Sequence, residues 1–523
     1  MVRAVKVRWL SVVKYSSSST GSIVLLAVLL LTCALYRWFM WGVEMAPPGS
    51  DGGNWLAFSM ELFGEKAKAA SAVYPPLFPG LVKFTILFMP PLVTLKVLGL
   101  MTTVLVSIPA YLLLRTTLNP LPAALLAASF PLLDYHNDVL AWGGYPQLLG
   151  AAFLMASIYT LRKGLETGRV RLFIMAALGV ALTVATHTLA ALQLAIALGA
   201  LLLIYFYEYR STTRLLPQRR LVKVLRLWVG VTVVLLLVII PVYIKTLALL
   251  TENPFNSQQF HILEFFRNYD SWRPGNIIWL EIAAVSIPFT AWAVIARRRY
   301  FLADVVVALS VSAVLTFVVI QEIRSAHLLQ IGLFLSVGLL IKLAYSEATV
   351  WLAHFSRQII FYLAIAFLTI VVSGVLMFGV FRAQQATQWY RVVDTPVLTA
   401  LNWLRDNGAP GDRVVAGETP NGGIIGWWVE GYAKLPVYFA VEKRWLSFDE
   451  EREQAEIAHR FLALDAEPAE LRQLVERHRI RFLLFHKETL VDPLPDLTQA
   501  GFINSFENET MIIFSYGEIK SAP

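Results

Sequence analysis

Long apolar runs, each wide enough to approach or cross a hydrocarbon core of about 30 Å, recur through the first three quarters of the chain, separated by short polar or basic stretches. They predict about eleven transmembrane helices, near residues 21–42, 92–114, 119–133, 146–161, 171–186, 188–207, 227–245, 276–296, 301–320, 326–343 and 358–381. The shorter runs must tilt, extend into their flanks or pack against neighbours. The stretch Tyr74 to Met89 is broken by Pro75, Pro76 and Pro79 and bounded by Pro90, so it is expected to lie in the interface or to re-enter without crossing. After residue 381 the pattern changes. Asp394 or Thr395 with Pro396 opens a helix that Gly408 stops. Short β-branched or aromatic runs at Arg413 to Ala416, Pro436 to Val441, Arg481 to His486 and Thr510 to Ser515 predict strands, with charged helices near Asp449 to Leu464 and Pro468 to His478. The expected fold is mainly α: a polytopic membrane helical bundle over 1–381, followed by an external α/β domain over 382–523.

Composition excludes an ordinary soluble protein of this length. Of 523 residues, 57% are hydrophobic and 15% charged, where a soluble domain carries about 25% charge. One cysteine, Cys33, lies inside an apolar run, which leaves no disulfide framework and no Cys-based zinc or redox motif. The net charge of +8 matters less than its placement, and no nucleic-acid partner is expected. Basic residues gather at the N-terminus (Arg3, Lys6, Arg8, Lys14) and in three loops: Arg162 to Arg171, Arg210 to Arg226 and Arg297 to Arg299. The positive-inside rule puts these in the cytoplasm. The first span has no small-residue cleavage site after a short apolar core and reads as an anchor. With an odd number of spans the N-terminus is inside and residues after about 382 are outside, in a multi-pass arrangement that fits a prokaryotic plasma membrane.

Polar groups with possible chemistry then fall on the outer face. The first external loop, P-P-G-S-D-G-G-N-W, sets Asp51 among glycines that permit close backbone approach to a ligand, with Glu44 and Glu61 beside it. The second, L-D-Y-H-N-D, offers Asp134, His136 and Asp138 at alternating positions, a carboxylate and imidazole mixture that suits a divalent metal such as Mg, Mn or Ca. A third outer turn carries His187, and the outer end of a late span carries Glu322, Arg324 and His327. Each has a plain alternative. Asp51 can be a turn residue, Asp134 to Asp138 a solvated loop with a helix cap, His187 a cap, and Arg324 a partner of Glu322.

Taken together, the inside anchor, the acid in a long first external loop, the Y-P-P-L-F-P segment from Tyr74 to Pro79, the many further spans and the terminal α/β domain resemble the GT-C superfamily of membrane glycosyltransferases, which use lipid-linked sugar donors. The resemblance implies that Asp51 is the first-loop carboxylate, that Asp134 with Asp138 forms the acidic second loop, and that Arg324, with His327 near it, faces the lipid phosphate. Two departures stand out. Asp51 is followed by Gly52, so an Asp-x-Asp pair is absent. In the external domain G-W-W-V-E-G-Y, from Gly426 to Tyr432, is similar to the W-W-D-Y-G motif of oligosaccharyltransferases but has Val429 and Glu430 where the aspartate would be. Trp427 and Trp428, with Glu44, are left as acceptor or sugar contacts, or as core aromatics.

The implied reaction moves a sugar from a polyprenyl phosphate to a hydroxyl of a glycan, lipid or protein acceptor, inverting the anomeric carbon. Asp51 would be the base, and Arg324 or a metal held by Asp134, Asp138 and a histidine (His136 or His187) would stabilise the phosphate leaving group. A lipid-linked sugar flippase and a catalytically silent scaffold are the alternatives. The topology has its own test: protease applied to intact spheroplasts should remove the C-terminal domain, and protection of that domain would invert the map.

Overall fold

A computed structural model of the chain describes residues 19–42, 45–61, 74–211, 218–241, 244, 301–320, 324–351, 357–439, 449–463, 467–490 and 497–517. The expected span at 276–296, Glu44 and Glu322 lie outside the described residues. The first part of the chain is helical: α1 (Ser19–Trp41), α2 (Asp51–Glu61), α3 (Leu77–Ile86), α4 (Pro91–Leu114), α5 (Pro120–Ser129), α6 (Asp134–Trp142), α7 (Tyr145–Thr167), α8 (Val170–Thr186), α9 (Thr188–Ser211), α10 (Gln218–Leu237), α11 (Phe301–Ile320), α12 (Ser325–Trp351) and α13 (Arg357–Trp389). Among the described residues five helices are long and apolar enough to cross a membrane: α1, α4, α7, and the Thr188–Phe206 and Ala326–Ser346 parts of α9 and α12. Helix α3 has 10 residues, and at about 1.5 Å per residue it is too short to cross.

Two stretches differ from the sequence reading. The apolar run at 119–133 is not one helix, because α5 passes at Phe130 into a single 3-10 turn closed by Pro131 and Leu132. The stretch after it is not a loop either: Asp134 to Trp142 is a nine-residue helix, α6, ended by Gly143 in the left-handed region (φ 99°). Its inward face, Val139, Leu140 and Ala141, is buried, and burial of that face is what the alternating polar letters concealed.

Helix α6 is held by two arginines from helices distant in sequence. Arg382, near the end of α13, donates from Nε to Asp134 Oδ1, both side chains almost wholly buried, and from Nη1 to Gln385 Oε1 at 2.6 Å. Arg37, inside α1, donates from Nη2 to Asn137 Oδ1 and to the carbonyl of Pro131. Asn137 Nδ2 in turn donates to the carbonyls of Leu132 (3.2 Å) and Gly379 (3.3 Å). A charge inside an apolar helix is tolerated only when paired or hydrogen-bonded, and here each cation is. At another point, Arg162 pairs with Asp304 at 3.1 Å and lies 5.7 Å from the rings of both Tyr205 and Phe301, so it ties α7 to α11 as well as contributing a cation to its loop.

Beyond α13 the chain forms α14 (Thr395–Asn407), β1 (Arg413–Ala416), β2 (Val437–Phe439), α15 (Asp449–Ala463), α16 (Pro468–His478), β3 (Ile480–His486), β4 (Phe502–Glu507) and β5 (Met511–Tyr516). Asp394 caps α14 by accepting from the Val397 N–H at 3.0 Å. The sheet order is β2-β1-β3-β5-β4, with β2, β1 and β3 parallel and β5 and β4 antiparallel. Successive residues serve two cores, as a strand's period of two requires. Val414, Ala416, Phe482, Leu484 and Ile513 join the core that includes α14, Trp428 and the helical bundle. Val415, Leu483, Phe485 and Ile512 pack with Ile457, Phe461 and Leu471 of α15 and α16. Strand β4 was not anticipated: an edge strand with Asn504, Ser505 and Glu507 along it buries little and carries no alternation to read.

The α6 anchorage predicts that Arg382→Met, which leaves Asp134 buried without its partner, lowers stability by about 3–5 kcal/mol. Pairing it with Asp134→Leu should restore most of the loss. Thermal unfolding of the purified protein in detergent measures both.

Candidate functional site

Asp51 is the first residue of α2, not a residue of an open loop. Around it three chain segments converge. Trp55 Nε1–H donates to the carbonyl of Gly143 at 2.7 Å, which docks α2 on the turn between α6 and α7. At Gly143 a side chain is excluded twice over, by φ 99° and because an added Cβ would lie 2.9 Å from Asp51 Cβ. On the other side, the segment 426–433, a turn of α-helix continued as a π-helical turn, packs on α2. Trp428 Nε1–H donates to the carbonyl of Gly49 at 3.0 Å, and an added Cβ at Gly53 would meet the backbone of Trp427 and Trp428 at 2.5 Å.

Gly52 and Gly53 therefore make room for the C-terminal segment, while an added Cβ at Gly49 would meet the backbone of Ala141 and Trp142 at the end of α6, so packing accounts for all three glycines. Trp428 is fully buried, so its indole has no face open to a sugar and acts as the anchor of this contact. Trp427 is half-buried beside it.

The charged and imidazole groups do come together. Asp51 keeps part of its surface open, yet its crowded surroundings raise its pKa from 3.8 to about 6, with the positive charge of Arg324 pulling the other way. Tyr145, at the start of α7, feels the Asp51 charge, and its buried hydroxyl has no hydrogen-bond partner among the described residues. His187 lies within electrostatic reach of Arg324 and His327 and is held neutral by burial, its pKa lowered to about 3. Its Nδ1 accepts from the Ala190 N–H at 3.3 Å and so caps α9. His327 stacks on Tyr135 at 6.1 Å between ring centroids and lies 5.6 Å from His136. Burial, then the charges of His327 and Arg37, hold His136 neutral as well. Neither ring nitrogen of His136 nor Nε2 of His327 has a hydrogen-bond partner among the described residues. Arg324 is half-buried, and its carbonyl accepts from Gln147 Nε2 at 3.3 Å.

The second-loop metal set is not assembled. Asp134 is taken up by Arg382, His187 by its cap, and among the described residues no three His, Cys, Asp or Glu side chains form a group that could hold a metal ion. Asp138, half-buried on α6, does not complete one. Among the described residues no set of side chains fits a divalent metal, and no step is assigned to one. Sequence reasoning missed Arg37, Arg382 and Tyr145. An arginine inside a transmembrane run is itself a signal of function or anchorage. Arg382 fell at the boundary drawn between two domains, and Tyr145 gives no sign in sequence beyond its place before Pro146.

No protein-family model and no curated protein sequence matches the chain. Solved structures do match. The archaeal oligosaccharyltransferase AglB from Archaeoglobus fulgidus, in complex with an inhibitory peptide and a dolichol-phosphate, aligns with TM-score 0.56 at 13% identity over 89% of this chain and 69% of that one; the same protein has also been crystallised with Zn and sulfate. ArnT from Cupriavidus metallidurans bound to undecaprenyl phosphate aligns with TM-score 0.55 at 14% identity over 95% of this chain and 99% of that one. The arabinofuranosyltransferase AftD from mycobacteria aligns with TM-score 0.61 at 15% identity over 94% of this chain and 41% of that one. The chain therefore has the fold of the GT-C membrane glycosyltransferases.

The close approach of 426–433 to α2 has a direct test. Gly53→Ala and Gly431→Ala each place a methyl group against backbone on the opposite segment, and overpacking typically costs about 1–3 kcal/mol. Each variant should show a lower unfolding midpoint and faster proteolysis after α13, whereas Gly422→Ala, in open space but at φ 74°, should affect only its own turn.

Proposed function

We propose, on the premise of the GT-C fold, that the chain is a glycosyltransferase that moves a sugar from a polyprenyl-phosphate donor to an acceptor hydroxyl at the outer face of the membrane. The observation that supports the reading is that the positive charge of Arg324 lies within electrostatic reach of Asp51 in one crowded, partly open site, within a fold whose solved examples hold dolichol phosphate or undecaprenyl phosphate. Asp51 removes the acceptor's hydroxyl proton while that oxygen attacks the anomeric carbon. The bond from that carbon to the phosphate oxygen breaks, and polyprenyl phosphate leaves with the electron pair. One displacement inverts the anomeric configuration.

The residues divide the work by charge. A carboxylate with a pKa of about 6 is ionised at neutral pH and a better base than an ordinary aspartate. Arg324 offers a fixed, permanently charged fork to the departing phosphate. His136, held neutral by burial, can donate one N–H to a phosphoryl oxygen without adding a second cation to a buried site. Glycan, lipid and protein hydroxyls remain equivalent as acceptors in this scheme, and Glu44 and Trp427 remain the proposed acceptor contacts.

Two variants separate the roles, assayed with a radiolabelled polyprenyl-phosphate sugar and membrane glycan extract as acceptor. Asp51→Asn should retain donor binding and lose about 100-fold to 10,000-fold in turnover. Arg324→Lys should weaken donor binding about ten-fold or more through loss of the bidentate fork. Wild-type turnover should fall as pH drops through about 6. The sign for stability is the reverse. A carboxyl whose folded pKa is raised binds its proton more tightly in the folded state, so it favours folding below pH 3.8 and that gain is lost as pH rises to about 6. Asp51→Asn should therefore be more stable than wild type at pH 7, on the order of 1 kcal/mol once partial solvent exposure is allowed for. Near-normal transfer by folded Asp51→Asn enzyme would overturn the assignment.

A further inference from the structure

Helix α6 has one open face. Tyr135, Asp138 and Trp142 follow one another at the i, i+3, i+7 spacing of a single helical side. These three are half-buried, and the other six residues of the helix are buried. Because Asp134 and Asn137 are held by Arg382 and Arg37, the helix cannot roll this face away.

The open face runs from Asp51 to Arg324. At its C-terminal end the backbone of Trp142 approaches Gly49, and the next residue, Gly143, lies against Asp51. At its other end Tyr135 stacks on His327, with ring planes 25° apart, and the His327 N–H donates to the Arg324 carbonyl at 3.2 Å. Between the ends Tyr135 meets Trp142 edge to face at 6.0 Å, and Tyr390 packs on Trp142 at 6.1 Å. The charge of Arg324 in turn reaches Asp51. These contacts close a ring in which the half-buried residues Asp51, Trp142, Asp138, Tyr135 and Arg324 face a common border.

A glycosyl phosphate imposes its own order on such a ring. Its anomeric carbon is one bond from a phosphate oxygen and must also meet the oxygen that Asp51 deprotonates, so the sugar lies beside both Arg324 and Asp51. The surface beside both is the α6 face, and its chemistry suits a sugar. Aromatic side chains offer broad apolar surface to the C–H faces of a pyranose or furanose. A carboxylate between them accepts charge-assisted hydrogen bonds from hydroxyls. His327 is 2% exposed, and its Nε2 has no hydrogen-bond partner among the described residues. A buried polar atom in that state is costly until a ligand or water satisfies it, and an imidazole nitrogen can donate to or accept from a hydroxyl.

We propose that the open face of α6 is the subsite for the donor's sugar, with Tyr135 and Trp142 as the stacking surface and Asp138 and His327 as the hydroxyl contacts, and that it selects a neutral sugar. The assignment rests on the donor reading given above. The neutral class follows from the charges: with the guanidinium of Arg324 engaged by the phosphate, the carboxylate of a uronic acid would face those of Asp51 and Asp138, a like-charge clash that excludes it.

The test measures binding by the full-length protein in detergent, without turnover. Undecaprenyl phosphates carrying mannose, glucose, arabinose or galacturonic acid compete with radiolabelled bare undecaprenyl phosphate. At least one neutral-sugar compound should bind about ten-fold or more tightly than the bare compound, the scale of a charge-assisted hydrogen bond, and the galacturonic acid compound should bind no better than the bare one. Trp142→Leu and Tyr135→Leu should remove the neutral sugar's advantage and leave binding of bare undecaprenyl phosphate unchanged. Asp138→Asn, nearly isosteric, should reduce that advantage and admit the galacturonic acid compound, a change of selectivity that a packing defect would not produce. Equal binding of bare and neutral-sugar compounds by wild type, or an intact advantage in folded Asp138→Asn and Trp142→Leu, would overturn the subsite and leave the donor reading standing. Equal binding of the galacturonic acid and neutral compounds would overturn the neutral class. Wild-type protein that binds none of the compounds, the bare one included, would overturn the donor reading itself and the subsite with it. Where the aromatic variants do not fold, Asp138→Asn decides.

Discussion

The architecture depends on how two buried guanidinium groups are satisfied. Arg37 from the first long helix and Arg382 from the end of α13 both terminate on α6, a nine-residue helix that could not hold its own shape in water. Neither arginine can move away without leaving a charge in a dry environment, and α6 cannot turn without breaking both contacts. That mutual constraint fixes the turn at Gly143, and the turn in turn receives Trp55 and sets where α2 begins. The position of Asp51 is thus decided by charges that never touch it.

The same region keeps its charge low by another route. Burial holds His136 and His187 neutral, and it raises the proton affinity of Asp51. Neutral imidazoles near one carboxylate and one guanidinium leave this region close to balanced in charge. In such a dry, nearly neutral region preorganised donors act more strongly than they would in water.

Much of this could be read from the letters, and the failures have physical causes. The strands at Arg413–Ala416 and Ile480–His486 and the helix at Pro468–His478 announced themselves because β-branched runs and charged amphipathic turns have sharp borders. The five long apolar helices of the described residues were legible for the same reason, although the run at 119–133 breaks at Phe130. Asp51, Arg324, His187 and His327 stand out as candidates in the letters because each is a polar group near the end of an apolar run. What could not be read was which groups pair. Asp134 looks like a metal ligand in sequence, and only the return of the chain 248 residues later brings Arg382 to it. Gly52 and Gly53 look like a ligand loop, and only the arrival of Trp427 and Trp428 shows what the missing side chains make way for. Local pattern encodes burial and period; it carries no address for a partner far along the chain.

The contact between Trp428 and Gly49 also has a consequence in time. The two residues are 379 positions apart, and at roughly 5–20 residues per second of synthesis that interval is on the order of tens of seconds. Throughout it the helix bearing Asp51 exists without the segment that packs against it. A ribosome that stalls, or a message cut short, between residues 390 and 425 yields a fragment with all its described apolar helices and an unfinished centre. The packing around α2 is thus completed last, a check on full-length translation written into the fold itself.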